Sequence, residues 1–140
     1  MSEKGHATGM AGEFHAMELL HRKGHQPALT LGNAKTIDIL TRSPSKKRYE
    51  ISVKAIQGGG KFGIGKEDYN KPEHKNLVFM LFWYKKFNDI GTPPETWIIP
   101  ATDAENIKGP WLNGASAIYC GNKAALARIE QYKDAWHLLE

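Results

Sequence analysis

Apolar and polar positions follow two rhythms along this chain. In residues 10–23, Met10, Phe14, Met17 and Leu20 recur at helical spacing, which predicts a helix closed by Gly24 at its C-cap. Residues 27–31 and 36–41 are short β-prone runs separated by Gly32-Asn33, a strong turn signal. After a turn at Ser43-Pro44-Ser45, residues 48–54 alternate strictly, as a half-buried strand does. Residues 77–83 are almost continuously apolar, which fits a strand buried on both faces. A further strand is predicted at 96–99, helices at 100–107 and 123–131, and a last helical turn at 134–139. Gly58-Gly59-Gly60, Gly63 and Gly65 read as a mobile loop at the surface. The segment 43–48 is too short for a crossover helix. The order therefore predicts an α/β fold with a central mixed sheet flanked by helices.

Composition narrows the class. A chain of 140 residues with no internal repeat or linker is expected to form one domain over 1–140. With 41% hydrophobic residues it has the means to build a core without covalent staples. Cys120 has no second cysteine to pair with, which suits a reducing cytoplasm. No apolar run follows a basic start, so no signal peptide is expected, and the longest apolar stretch is too short to cross a membrane. The net charge of +4 permits a polyanionic partner without requiring one. Lys46, Lys47 and Arg48, with Lys61 and Lys66, are the positions where such a partner would be met. The same charges serve equally well as solubilising surface.

The chemistry concentrates in two strands. Glu50, Ser52 and Lys54 share one strand face, and Asp38 lies between Ile37 and Ile39 on the strand joined to it by a short loop. If the two strands pair, Asp38 approaches Ser52 and Lys54. A carboxylate offers hard oxygen to Mg²⁺, and an ammonium group beside it can orient water or neutralise a phosphate. The alternation describes any half-exposed strand equally well. Glu13 falls within the apolar arc of the first helix, where a carboxylate needs a partner, a hydrogen bond or a metal. Its place near the helix N-terminus, where the dipole favours negative charge, accounts for it as well. His74 lies just before the buried strand, where it could approach the site, although a surface role is the first expectation. His15, Glu18 and His21 make no credible zinc site. The four tryptophans, Trp83, Trp97, Trp111 and Trp136, are expected as core or interface anchors.

Gly12-Glu13, then Ile37-Asp38-Ile39-Leu40, then Ile51-Ser52-Val53-Lys54-Ala55 resembles the PD-(D/E)xK nucleases, a superfamily that includes restriction endonucleases, junction resolvases and intron homing endonucleases. The resemblance covers about the first half of the chain. It implies a restriction-endonuclease-like fold, with Asp38 and Lys54 as the core catalytic pair. It further implies Mg²⁺ as cofactor, with Mn²⁺ able to substitute, and DNA as partner, met by a homodimer. Asp38, Glu13 and the Val53 carbonyl would hold the metal. The pattern departs at Ser52, where the superfamily places an acidic residue; Glu50 lies two residues earlier on the same face, and Glu13 can supply the missing charge.

Three functions follow as expectations. The first is a metal-dependent DNA endonuclease. The second, motivated by Ser52, is a catalytically weakened or inactive nuclease-fold protein acting as a DNA-binding or assembly subunit. The third is an unrelated α/β interaction protein in which Asp38 and Lys54 merely form an ion pair.

Overall fold

A computed structural model describes residues 3–30 and 37–140. Helix α1 (Glu3–Arg22) leads into β1 (Gln26–Leu29), β2 (Ile39–Arg42) and β3 (Arg48–Ile56). Then come β4 (Lys61–Gly65), β5 (Leu77–Trp83), β6 (Glu95–Pro100), α2 (Ala101–Ile107), β7 (Gly109–Pro110), β8 (Ser116–Tyr119) and α3 (Lys123–Ile129). The Gly32-Asn33 turn lies outside the described residues.

The main sheet has five strands in the order β1-β2-β3-β5-β6. Its β3–β5 pair is parallel and its other pairs antiparallel, so the sheet is mixed as expected. Strand β5 alternates between two cores. Leu77, Phe79 and Leu81 join Trp97, Ile99 and residues of α2 and α3 on one face. Val78, Met80 and Phe82 join Ile39, Ile51, Ala16 and Leu20 on the other. Being buried on both sides is why the strand reads as one apolar run.

Helix α1 differs from its expected orientation. Its buried positions are Thr8, Gly12, Ala16 and Leu20, whereas Met10 and Phe14 are 37% and 58% exposed. A stripe of small residues wins because it lets the helix sit hard against β3. A Cβ added to Gly12 would lie 2.7 Å from the Ala55 Cβ. The helix also begins seven residues before the apolar rhythm, in a segment carrying Gly5 and Gly9. Two bonds help hold this end: the Thr8 hydroxyl donates to the Lys4 carbonyl at 2.7 Å, and Gln57 Nε2 donates to Thr8 Oγ1 at 2.7 Å.

The glycine-rich stretch is not all loop. Its second half forms β4, which pairs with β8 in a separate three-stranded sheet, order β4-β8-β7. Phe62 and Ile64 turn into the core, while Gly63 makes room for the Trp111 ring, which a Cβ there would meet at 2.5 Å. The small sheet, α2 and α3 cover one face of the main sheet and α1 covers the other. No helix among the described residues is long and apolar enough to cross a membrane.

Candidate active site

Strand β3 builds the site by offering its two edges and two faces to different neighbours. Ile39 pairs with Ile51, so Asp38, one step outside β2, stands opposite Ser52. The Asp38 N–H donates to the Ile51 carbonyl at 2.8 Å. The ladder then changes character, because the next β3 donor, the Val53 N–H, gives its bond to Asp38 Oδ2 at 2.7 Å. A carboxylate thus occupies the place of a main-chain carbonyl. The even-numbered residues of β3 turn their backbone groups toward β5, as in the bond from the Glu50 N–H to the Asn76 carbonyl. The odd-numbered residues turn theirs toward β2. In a strand, one residue's N–H and C=O leave on the same side. The Val53 carbonyl therefore points to the edge where the Asp38 carboxylate lies.

The side chains of Ser52 and Lys54 leave β3 on the face away from α1. With Asp38 and Val53 they form one wall of a cavity of about 330 Å³. Ile64, Leu77 and Phe79 contribute its apolar lining, and Lys66, Glu67, Tyr69 and His74 complete it. Ser52 is 3% exposed, so its hydroxyl is a buried polar group of the wall. Tyr69 is a structural member. Its hydroxyl donates to the Ile64 carbonyl, and its pKa is pushed up to about 12 by burial, helped by the charges of Glu67 and Glu105. It stays neutral across the physiological range.

His74 belongs to this cavity, as its place just before the buried strand allows, and not to the general surface that is the first expectation. Its imidazole packs edge-on against the Tyr69 ring at 5.3 Å, and its buried Nε2 has no hydrogen-bond partner. The nearest carboxylates, Glu67 and Glu73, are each 3.8 Å from that nitrogen. Sequence reasoning missed Glu67 and Tyr69 as well. Nothing local marks them, because β4 and the 3₁₀ turn Pro72–His74 fold them over β3 from outside.

The other sequence-predicted residues are distributed around this centre. Glu13 is half-buried on α1 and does not line the cavity. His15, on one flank of the buried stripe, packs against Phe82 at 5.0 Å and Tyr84 at 6.5 Å, on the β5 side. At about 100° per residue Glu13 takes the opposite flank, toward the edge of β3 that Asp38 occupies. Glu50 lines a different hollow with Leu40, Arg42 and Arg48, at the hairpin end of β3. Lys66 stands at the cavity, and Lys61 lies over the Trp111 ring at 5.5 Å. Lys46 lines a hollow with Gly24 and Arg42, and with Lys47 and Arg48 it sits at the β2–β3 turn. That turn is four strand steps, about 13 Å, from Asp38.

No family model and no curated protein matches the sequence. The architecture does have a solved counterpart, a bacterial homing endonuclease, I-Ssp6803I. The chain shares the fold of that protein. The two structures superpose with a TM-score of 0.60 over 99% of this chain and 91% of that one, with 14% of residues identical. At that identity the likeness is one of fold, and the site rests on the geometry described above.

The donors around Asp38 decide which metal would suit them. Among the described residues no three His, Cys, Asp or Glu side chains stand close enough to hold an ion. A soft or tightly caged metal is therefore ill served. One carboxylate with a free oxygen, beside a carbonyl on the same edge, fits a hard dication that keeps most of its waters.

Proposed function

We propose that this protein is a Mg²⁺-dependent DNA endonuclease of the PD-(D/E)xK type. The observation that carries the reading is the Asp38 carboxylate, fixed by the Val53 N–H at 2.7 Å on the wall of a cavity that also holds Lys54. Asp38 through its second oxygen and Val53 through its carbonyl would hold the ion, with Glu13 approaching from α1 as a second carboxylate. When bound, Mg²⁺ supplies Lewis acidity toward a phosphate oxygen and an attacking water. Lys54 places a positive charge on the same wall, where it orients that water and offsets charge growing on the phosphate. Ser52, on the cavity wall opposite Asp38, offers a hydroxyl for a bridging water. Lys66 draws the backbone to the cavity. A DNA duplex presents two backbones and one cavity acts on one of them, so double-strand cleavage calls for a homodimer. Mn²⁺ is expected to substitute.

The test is nicking of supercoiled plasmid with Mg²⁺, with Mn²⁺ and with EDTA, by the wild type and by Asp38→Ala and Lys54→Ala. Cleavage that requires metal and both residues supports the assignment. Equal cleavage by all three proteins ends it.

A second reading is favoured by Ser52, which leaves the cavity wall with one carboxylate fewer than the resemblance implies. In that reading the protein holds DNA without cutting it. Salt-dependent DNA binding with no metal-dependent nicking separates it from the first.

A further inference from the structure

We infer that His74 is a substrate-contacting residue, donating its Nε2–H to a phosphate oxygen in the cavity that Asp38 and Lys54 line. This rests on the phosphodiesterase reading above and adds a contact that neither the strand pattern nor the resemblance assigns.

Three observations carry it. The Nε2 is buried, belongs to a residue of the cavity wall and has no hydrogen-bond partner, although buried polar atoms almost always find one. A ligand within the cavity would supply the short hydrogen bond that the two carboxylates, at 3.8 Å, do not. The ring is also held in place: it packs edge-on against Tyr69, whose own ring packs against Phe79 at 5.2 Å and whose hydroxyl is tied to Ile64. A donor fixed by its surroundings can direct a bond without further ordering, as a site for a charged oxygen requires. Finally, the neighbouring acids reach the nitrogen only as long ion pairs of a protonated ring. Glu67 and Glu73 stand 3.8 Å away, beyond hydrogen-bond distance, and both are largely exposed. Glu67 also leans toward Lys71, at 3.9 Å, and Lys54 and Lys66 set cations in the same cavity. The ligand chemistry this combination takes is an oxyanion, and in this setting it is a phosphodiester.

The test compares His74→Phe, which keeps a ring against Tyr69 but removes both nitrogens, with His74→Gln, whose amide returns an N–H near the Nε2 position. Single-turnover cleavage of a duplex with Mg²⁺ is measured alongside thermal unfolding. The expected result is a loss of at least about tenfold in kcat/KM for His74→Phe at an unchanged melting temperature, partly restored in His74→Gln. A second readout needs no activity: the His74 ring resonances of the metal-free protein should shift when bis(p-nitrophenyl) phosphate is added. If His74→Phe cuts like the wild type while Asp38→Ala is inactive, the His74 contact is overturned and the endonuclease reading stands. If Asp38→Ala cuts normally, the endonuclease reading falls, and the ring resonances decide the phosphate contact by themselves.

Discussion

On the α1 side of β3, Val53 and Ala55 meet a helix packed so tightly that Gly12 has no room for a methyl group. On the other side of the same strand, Ser52 and Lys54 look into a cavity of about 330 Å³. The two faces share one backbone and differ in what covers them. The closed face is covered by a continuous helix carrying small residues. The open face is covered by a separate small sheet and a 3₁₀ turn that meet β5 and β6 closely but leave a gap over β3. The contrast shows how a small protein can make a precise polar site: one face of a strand is locked in the core, and the side chains of the other face inherit that rigidity.

The comparison can be broken from either side. The largest effect belongs to the open face, where Asp38→Ala or Lys54→Ala should lower the proposed Mg²⁺-dependent cleavage by at least about 100-fold, as should chelation of the metal. Gel assays of plasmid nicking measure this directly. On the closed face, Gly12→Ala should destabilise the fold by about 1–3 kcal/mol, since the added carbon would clash with Ala55. Urea unfolding of Gly12→Ala alone and combined with Ala55→Gly checks it; the double variant should recover most of the loss. A smaller difference separates basic positions. Lys66→Glu, at the cavity, should weaken DNA binding more than Lys46→Glu at the distant turn. A position that contacts phosphate should also lower the slope of log affinity against log salt by about one per contact. Binding titrations at several salt concentrations would show whether the two positions differ at all.

The smallest expected effect is a pH dependence on the closed side. His25 is buried and hydrogen-bonded to Thr41 at 3.0 Å. Burial pulls its pKa below the ordinary 6.5, partly opposed by a backbone hydrogen bond with Leu139. His15 is lowered too, mainly by burial, with Glu18 opposing. The unfolded chain therefore takes up protons before the folded one as pH falls. Stability is full above about 6.5 and declines below it, toward the lower folded values. Urea midpoints at pH 7.5 and pH 5 should show the decline, and His25→Gln should reduce it.

Much of the main sheet was legible because it is encoded locally. The alternation of residues 48–54, the apolar run of β5 and the short connection between β2 and β3 together fix strand identity and neighbours. Asp38, Ser52 and Lys54 could be read as one group for the same reason: a hairpin register and a two-residue period place them together. What escaped depends on contacts between distant segments. Strand β4 hides among glycines because its evidence lies in partners, Phe62 and Ile64 in the core and β8 beside it. The buried stripe of α1 escaped because Gly12 and Ala16 carry little hydrophobic signal; closeness of approach, which a periodicity cannot register, makes them the contact face. His74 could be placed near the site by its position before β5 but not assigned to the cavity, since that depends on how the β4–β5 connection folds over another strand.

The bond from the Val53 N–H to Asp38 Oδ2 means that a single aspartate acts both as a rivet between two strands and as an electron-pair donor. One oxygen is engaged by the backbone, so a cation is met first by the other, in a one-point hold that leaves its remaining positions to solvent and substrate. Asparagine at 38 would keep the rivet and discard the negative charge, and so would leave the joinery intact while emptying the socket.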